Sequence, residues 1–319
     1  MSTKTRKIAP GPADLAAAAR RLRGVATVTP LLPAEALSLE LGRPVFVKAE
    51  TLQRTGSFKF RGAYNRIAAM TPEERASGVV AFSSGNHAQG VAAAAALFGC
   101  RAAIVMPSDA PAAKIAGTRG YGADVVFYDR ERESREEIAE GLAAERGAVV
   151  IPSFDDPFVI AGQGTVGLEI AAGVAAMGLM LDAVATPVGG GGLASGIALA
   201  LELAAPEARL FGAEPEAFDD AGRSFLAGRI VGNARKSGST QDALLTPELS
   251  ELTFGILQPR VAGMSVVPDA AAHAAVQYAS RSFKLVAELG GAAALAAVLA
   301  GAIPKGENAL VVVLSGGNS

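Results

Sequence analysis

The sequence predicts an α/β protein of two lobes, with mainly parallel, doubly wound sheets. Short β-branched runs alternate with longer helical patterns along the chain, and most predicted strands are apolar throughout rather than at alternate positions. A strand that is apolar throughout is typical of a sheet covered by helices on both faces. The alternation of strands and helices favours parallel strands joined by crossover helices.

The predicted elements follow this alternation along the whole chain. Strands are predicted at Val45–Lys48, Gly78–Phe82, Ala102–Met106, Asp124–Tyr128, Ala148–Ile151, Ala183–Pro187, Leu210–Glu214 and Leu310–Leu314. Helices are predicted at Ala13–Arg23, Pro33–Leu41, Phe58–Ala69, Asn86–Phe98, Ala112–Tyr121, Ser134–Arg146, Asp156–Ala176, Gly192–Leu203, Asp269–Val286 and Gly291–Gly301. The closely spaced strands between Gly78 and Ile151 predict a small lobe over residues 71–153. Residues 1–70 and 154–319 would then form a large lobe.

The composition excludes several classes of function. The 319 residues carry 29 Lys and Arg against 31 Asp and Glu, so no basic surface is expected for nucleic acid or an anionic membrane. The single cysteine, Cys100, allows no intrachain disulfide, and two histidines are too few for a multi-histidine metal centre. The basic start lacks the apolar segment of a secretory signal, and the apolar run Ala292–Ala300 is too short to span a bilayer. We therefore expect a cytoplasmic protein.

A glycine-rich loop lies between a predicted strand and a predicted helix, at Gly189, Gly190, Gly191 and Gly192. Glycines let backbone N–H groups turn toward one point, and the helix N-terminus adds the positive end of its dipole. The loop therefore predicts an anion site, usually for phosphate, although a close-packed turn is an alternative. A dinucleotide site is another, because Gly189, Gly191 and Ala194 fit the positions of its fingerprint and Glu214 lies near the distance of its acidic residue.

A second junction between a predicted strand and a predicted helix carries Ser83, Ser84, Asn86 and His87. Ser84 or Asn86 could cap the helix. The hydroxyls and free N–H groups could instead hold a carboxylate. A lone histidine such as His87 is more often structural than catalytic.

Lys59 opens a predicted helix between Phe58 and Phe60. Apolar surroundings remove water from an ammonium group and lower its pKa, which favours chemistry by a neutral amine. The alternative is a surface lysine whose aliphatic part lies along apolar residues.

Polar side chains also follow predicted strands near the end of the chain and in its middle. Ser315 follows Leu310–Leu314, and a serine at the carboxyl end of such a strand commonly faces a ligand; a chain end without a role is the alternative. Glu214 and Asp220 flank a loop whose oxygen atoms could bind Mg²⁺ or Ca²⁺, and solvated acids are the alternative.

These segments, in this order, resemble the fold-type II enzymes that depend on pyridoxal 5′-phosphate (PLP), and among them the serine/threonine dehydratase and serine racemase family. Ser57–Gly62 matches the motif of the Schiff-base lysine, and Ser83–His87 matches the segment that contacts the PLP hydroxyl and the substrate carboxylate. Gly189–Leu193 matches the phosphate cup. Ser315–Asn318 matches the segment whose serine meets the pyridine nitrogen. The resemblance covers nearly the whole chain.

The resemblance implies a role for each matching residue. Catalysis would fall to Lys59, which holds PLP and moves the α proton, and to Ser84 on the opposite face of the α carbon. The cofactor-binding residues would be Phe58, Lys59, Asn86, Gly189, Gly190, Gly191, Gly192, Leu193 and Ser315. The substrate carboxylate would meet Ser83, Ser84, Asn86, His87 and Arg135. The ligands of a divalent cation would be Glu214, the carbonyl of Phe218 and Asp220.

The implied activity is that of a PLP-dependent dehydratase, or ammonia-lyase, working as a homodimer. It would eliminate the β-hydroxyl of L-threonine, L-serine or a related hydroxy amino acid to give a 2-oxo acid and ammonia. The chain departs from the family pattern at Gln241–Leu244, where many dehydratases carry an Ala-Asp-Gly-type segment, and at Leu289, where proline is common after the glutamate. The substrate therefore stays open, and a serine racemase or a dehydratase of hydroxyaspartate or phenylserine are alternatives. An NAD-dependent oxidoreductase and an amino-acid sensor without turnover are more distant alternatives.

Overall fold

The computed structural model describes residues 7–83, 85–110, 112–129 and 131–318. Its strands are β1 (Leu31–Pro33), β2 (Val45–Ala49), β3 (Val79–Phe82), β4 (Ala102–Pro107), β5 (Asp124–Tyr128), β6 (Val149–Val150), β7 (Leu181–Pro187), β8 (Arg209–Pro215), β9 (Val261–Val267) and β10 (Ala309–Leu314). Its helices are α1 (Pro12–Leu22), α2 (Glu35–Leu41), α3 (Lys59–Ala68), α4 (Pro72–Ser77), α5 (Asn86–Leu97), α6 (Ala112–Gly120), α7 (Arg135–Arg146), α8 (Pro157–Ala176), α9 (Gly192–Ala204), α10 (Asp220–Ala227), α11 (Glu251–Leu257), α12 (Asp269–Tyr278) and α13 (Ala293–Leu299). The predicted α/β class is confirmed.

The larger sheet has six strands in the order β1-β2-β10-β7-β8-β9. All neighbours in it run parallel except β1, which pairs antiparallel with β2. Alternate side chains of β10 pack on opposite faces of the sheet. Val312 packs in the same core as residues of α12 and α13, whereas Val311 packs in the same core as residues of α8 and α9. Both faces are therefore covered, which explains why the strand is apolar at every position.

The smaller sheet has four parallel strands in the order β5-β4-β3-β6. Helices α3 and α5 cover one of its faces, and α7 covers the other. Its strands lie within the segment 71–153 that is predicted as the small lobe. Phe60 and Ile67 of α3 share the core of this sheet, so α3 lies against the small lobe although it precedes residue 71. The boundaries of the lobes stay a prediction.

Two regions differ from the predicted elements. The predicted helix Asp269–Val286 is wrong in its length, because α12 ends at Tyr278 and a π-helical turn, Ala279–Phe283, follows it. Lys284 then takes a left-handed conformation with φ of 58°, which ends the helical path. The first residue of α5 is Asn86 and its N-cap is Gly85, so Asn86 is not the capping residue.

Helix α8 is the one helix among the described residues that is long and apolar enough to cross a membrane. In this structure 67% of its most apolar window is buried inside the molecule. It packs between α3 and α9, as expected of a core helix.

Candidate active site

A cavity of about 1440 Å³ opens where strands of both sheets end. Residues that follow β3, β6, β7 and β10 contribute to its wall, which is the edge where α/β sheets bind ligands. Many of the predicted site residues line it together: Phe58, Lys59, Ser83, Asn86, His87, Arg135, Gly189, Gly190, Gly191, Gly192, Leu193 and Ser315. Ser84, the second predicted catalytic residue, lies outside the described residues.

Lys59 is the first residue of α3, and its side chain lies in the cavity wall. Its Nζ donates a hydrogen bond of 3.0 Å to the carbonyl of Ser153 and lies 5.1 Å from the centre of the Phe58 ring. Burial lowers the pKa of Lys59 to about 8, and the negative charge of Glu288 opposes the shift. A larger share of the amine is therefore neutral near pH 7 than for an exposed lysine.

A buried charge cluster holds the helix that carries Lys59. Arg61 is two residues further along α3, and its guanidinium binds Glu50 at 2.8 Å and Glu169 of α8 at 2.6 Å. Lys48 of β2 also binds Glu169 at 2.5 Å. Burial alone would lower the pKa of Arg61, but the negative charges and hydrogen bonds of Glu50 and Glu169 outweigh this effect and raise the pKa. The cluster ties the start of α3 to both β2 and α8.

The glycine loop turns from β7 into α9 against the ring of Phe154. A Cβ at Gly190 would overlap that ring, and a Cβ at Gly192 would lie 2.8 Å from the Cβ of Phe154. Gly191 has φ of +82°, which residues with a side chain rarely adopt. The loop is glycine-rich because backbone and Phe154 approach this closely, and the N-terminus of α9 faces the cavity at this place.

Asn86 and His87 open α5 at the opposite wall. Nδ2 of Asn86 donates to Oε1 of Glu288 at 2.5 Å, and Oδ1 of Asn86 accepts from Nδ2 of Asn318 at 2.9 Å. Nε2 of His87 lies 2.8 Å from the carbonyl of Ile151. Burial and the positive charge of Lys59 lower the pKa of His87 to about 3, so the imidazole is neutral at physiological pH.

Two cations on helices that pack beside the smaller sheet reach the cavity. Arg135 begins α7, lies 5.4 Å from the centre of the Phe82 ring and pairs with Glu136 at 2.8 Å. Lys114 of α6 pairs with Asp242 at 2.6 Å, and both residues line the cavity. Lys114 and Asp242 are not part of the motifs that identify the site in the sequence.

Ser315 follows β10 and is buried in the cavity wall. Its carbonyl accepts a hydrogen bond of 3.1 Å from the backbone N–H of Phe58, which joins the end of β10 to the segment that carries Lys59. Glu288 lies beside this junction and is buried as well. Burial raises the pKa of Glu288 to about 7, although the hydrogen bond from Asn86 opposes the shift.

The predicted cation ligands lie apart from the cavity. Both oxygens of Glu214 accept backbone N–H groups, from Ala221 and Gly222 at 2.9 Å each. Oδ1 of Asp220 accepts from Asn233 at 2.6 Å, while its buried Oδ2 has no partner among the described residues. Burial raises the pKa of Glu214 to about 8 and that of Asp220 to about 6. A cation here would lower both pKa values, but it would meet only one unpartnered carboxyl oxygen, and the described residues include no group of three or more His, Cys, Asp or Glu side chains that could hold a metal ion.

Comparison with known proteins assigns the chain to a family. A family model described as "Pyridoxal-phosphate dependent enzyme" matches residues 22–316. The chain belongs to this PLP-dependent family. It is 46% identical over 285 residues to an L-threo-3-hydroxyaspartate ammonia-lyase of Pseudomonas sp, with 89% of this chain and 88% of the relative covered.

Two other relatives show the same family. The chain is 38% identical over 305 residues to a serine racemase of Schizosaccharomyces pombe, with 96% of this chain and 93% of the relative covered. The crystal structure of a T.th. threonine deaminase superposes with a TM-score of 0.90 at 45% identity, and the match covers 97% of this chain and 99% of that one. The predicted membership of the fold-type II PLP enzymes is confirmed.

The residues of the cavity fit PLP. An amine with a lowered pKa, Lys59, could bond to an aldehyde, and the glycine loop at the start of α9 lines the same cavity, where its backbone N–H groups could hold a phosphate. Ser315 offers a neutral hydroxyl in the same wall. Glu214 does not belong to the described lining of the cavity, so it is not placed to complete a dinucleotide site there.

Several residues of the site belong to no sequence motif that would have predicted their role. Ser153 and Phe154 support Lys59 and the glycine loop, but they belong to a short irregular segment before α8 with no motif of its own. Glu288 precedes Leu289, where the chain departs from the family pattern, but no motif marks it as a residue of the site. Its contact with Asn86 joins residues that are 202 positions apart, so no local pattern reveals it.

Proposed function

We propose that the chain is a PLP-dependent ammonia-lyase, which removes the β-hydroxyl of a small hydroxy amino acid and yields a 2-oxo acid and ammonia. One observation carries the proposal: Lys59 Nζ, with its pKa lowered to about 8, lines the same cavity as the glycine loop and Ser315. A pKa near the working pH suits a group that must accept and return a proton. The 46% identity to an ammonia-lyase supports the reaction type.

The elimination needs a group that moves the α proton and a cofactor that withdraws electrons. When bound, PLP withdraws electrons from the α carbon of an amino acid. Lys59 Nζ accepts the α proton, the C–H electron pair forms the Cα–Cβ double bond, and the β-hydroxyl leaves as water with the proton that the Lys59 ammonium returns. The released enamine then hydrolyses to the 2-oxo acid and ammonia.

The cofactor is held by residues of both lobes in this proposal. Backbone N–H groups from Gly189 to Leu193 would hold the phosphate, and Phe58 and Asn86 would hold the ring. Ser315 would face the ring nitrogen with a neutral hydroxyl, which would not favour protonation of that nitrogen as an acid would. A weaker pull on electrons suits elimination, because the leaving hydroxyl takes up the electron pair.

The substrate carboxylate meets the start of α5 and the cations of the smaller lobe. Ser83, Asn86, His87 and Arg135 are the proposed contacts, and Ser84 remains a predicted contact. A hydroxyl of Ser84 that returned the proton on the opposite face of the α carbon would give the other enantiomer. Racemisation is therefore the second candidate activity, and the 38% identity to a serine racemase favours it as such.

L-threo-3-hydroxyaspartate is the first substrate to test. The chain is 46% identical to an ammonia-lyase named for this amino acid, whose second carboxylate Arg135 would bind in place of Glu136. L-Threonine and L-serine, which lack that carboxylate, are the comparison substrates.

The test is a visible absorbance spectrum of the purified protein with PLP, recorded before and after each of these three amino acids, with assays of 2-oxo acid and of the D-enantiomer. We expect a visible band from the lysine-linked cofactor and release of a 2-oxo acid. Lys59→Ala should lose both, whereas Lys236→Ala, a change at an exposed lysine, should keep both. Absence of the band in the native protein after PLP is supplied would refute the proposal.

Three further features complete the proposal. Glu214, the Phe218 carbonyl and Asp220 bind Mg²⁺ or Ca²⁺, which calorimetric titration against Asp220→Asn would test. The protein is a homodimer, which light scattering would test. It works in the cytoplasm, where its one cysteine, the buried Cys100, stays reduced.

A further inference from the structure

Glu288 is a buried carboxyl group in the wall of the cavity, 5% exposed. Its backbone N–H donates to the carbonyl of Gly316 at 3.0 Å, which fixes the residue against the segment after β10. Its carboxylate passes so close to Gly316 that a Cβ there would overlap Oε1. Within the described residues, the only side-chain hydrogen bond of Glu288 is the one it accepts from Asn86. A buried carboxyl group with so few partners is costly, so its presence calls for a function.

The amide of Asn86 has its orientation determined from two sides. The Thr55 carbonyl can only accept, so the Asn318 side chain must direct its NH₂ group toward it. The same NH₂ group donates to Oδ1 of Asn86, which fixes Oδ1 on this side of the Asn86 amide. On the other side, an ionised Glu288 can only accept, so it faces Nδ2 of Asn86. A flipped Asn86 amide would place two donors together and two acceptors together.

This arrangement leaves one N–H of Asn86 for the cavity. Nδ2 has two hydrogens, and Glu288 takes one of them. The other has no acceptor among the described residues, and Asn86 lines the cavity. It is therefore the group that remains to donate to a bound ligand.

We infer that Glu288 is a positioning residue, whose carboxylate holds the Asn86 amide with an N–H directed at the cofactor. This inference rests on the proposed function, because it assumes that PLP occupies the cavity. A carboxylate accepts more strongly than a neutral group, since a charge-assisted hydrogen bond is roughly twice as strong as a neutral one. Protonated Glu288 gains an O–H donor and no longer selects the same orientation of Asn86.

The charges around Glu288 come from three elements. Lys59 of α3, Lys114 of α6 and Asp242 beside the glycine loop all act on it, the two lysines favouring its ionised form and Asp242 opposing it. His87 of α5 is neutral and adds no charge. Burial places the pKa of Glu288 at about 7. The carboxylate form, and with it the orientation of Asn86, is therefore gained as the pH rises through about 7.

The test compares PLP binding by the native apoenzyme and by Glu288→Gln between pH 6 and pH 8.5. The native protein should bind PLP more tightly, and its visible band should change, as the pH rises through about 7. Glu288→Gln should lose the step near pH 7, keep the rise near pH 8 that Lys59 itself contributes, and bind PLP about fivefold more weakly at pH 8, the equivalent of one weakened hydrogen bond. Glu145→Gln, at an exposed glutamate of α7, is the matched control and should keep the native profile.

The outcomes distinguish a failure of the proposed function from a failure of the role of Glu288. A native protein that takes up no PLP at any pH contradicts the proposed function. A native protein that binds PLP while Glu288→Gln keeps the same pH step and an affinity within twofold overturns the role of Glu288 alone. Because Gln has nearly the shape of Glu, the variant should fold. Glu288→Asp keeps a carboxylate but withdraws it from Asn86, so it should lower PLP affinity and diminish the step near pH 7.

Discussion

The contact between Gly190 and Phe154 allows a quantitative test of the glycine loop. In Gly190→Ala the added methyl group would overlap Cδ1, Cε1 and Cγ of the Phe154 ring, so the loop or the ring must move. Inserting a methyl group into such a packed place costs about 1–3 kcal/mol. The apoenzyme relieves the overlap by shifting the loop, so the loss falls on PLP affinity. The dissociation constant should rise by about fivefold to 150-fold.

A second variant shows whether the overlap is the cause. Phe154→Ala removes the ring, so Gly190→Ala introduced into that background should change PLP affinity by less than about twofold. Gly141→Ala is the matched control, because Gly141 lies in α7 with nothing within 4 Å of an added Cβ. Alanine there should stabilise the protein by about 0.5–1 kcal/mol against urea and leave PLP affinity unchanged. Equal losses from Gly190→Ala in both backgrounds would refute the reasoning.

Three further predictions concern charges. Glu50→Gln leaves Arg61 short of a partner in a buried cluster and should lower the free energy of unfolding by about 3–5 kcal/mol in urea titration; a loss below about 1 kcal/mol would contradict it. Lys59 of the apoenzyme reacts with an amine-specific reagent only as the neutral amine. The rate of its labelling, measured by mass spectrometry, should therefore rise with a midpoint near pH 8 rather than near pH 10.4. A midpoint above about pH 9.5 would argue against a buried amine. Asp242→Asn breaks the ion pair between Lys114 and Asp242 and should raise KM up to about fivefold at low salt, and less at high salt, whereas an unchanged KM at low salt would show that this ion pair does not support substrate binding.

The fold was predictable where burial acts on both faces of a strand. β10 and β7 are apolar at nearly every position, and the sequence places them within two residues of their observed bounds. β1 escaped prediction because it has three residues and ends in proline. β9 escaped because it lies at the edge of its sheet, is largely half-buried or exposed, and contains Gly263.

The site was predictable where one segment carries several of its residues. The lysine segment, the start of α5, the glycine loop and Ser315 each combine chemistry with a position at the end of a strand or the start of a helix. Glu288, Lys114 and Asp242 act as single residues whose partners lie far away in the sequence. Only the folded chain brings those partners together, so no spacing in the sequence indicates them.

The position of β10 has a consequence for the order of assembly during synthesis. This strand lies between β2 and β7 in the six-stranded sheet, although it follows both in the chain, with residues 188–308 separating it from β7. At roughly 5–20 residues per second, a ribosome needs on the order of ten seconds to proceed from β7 to β10. During that interval the sheet lacks the strand that pairs with both β2 and β7, and the N–H of Phe58 lacks its acceptor, the carbonyl of Ser315. The nascent chain therefore cannot complete its cofactor site until β10 has left the ribosome, and exposed edges of β2 and β7 are its vulnerable surfaces until then.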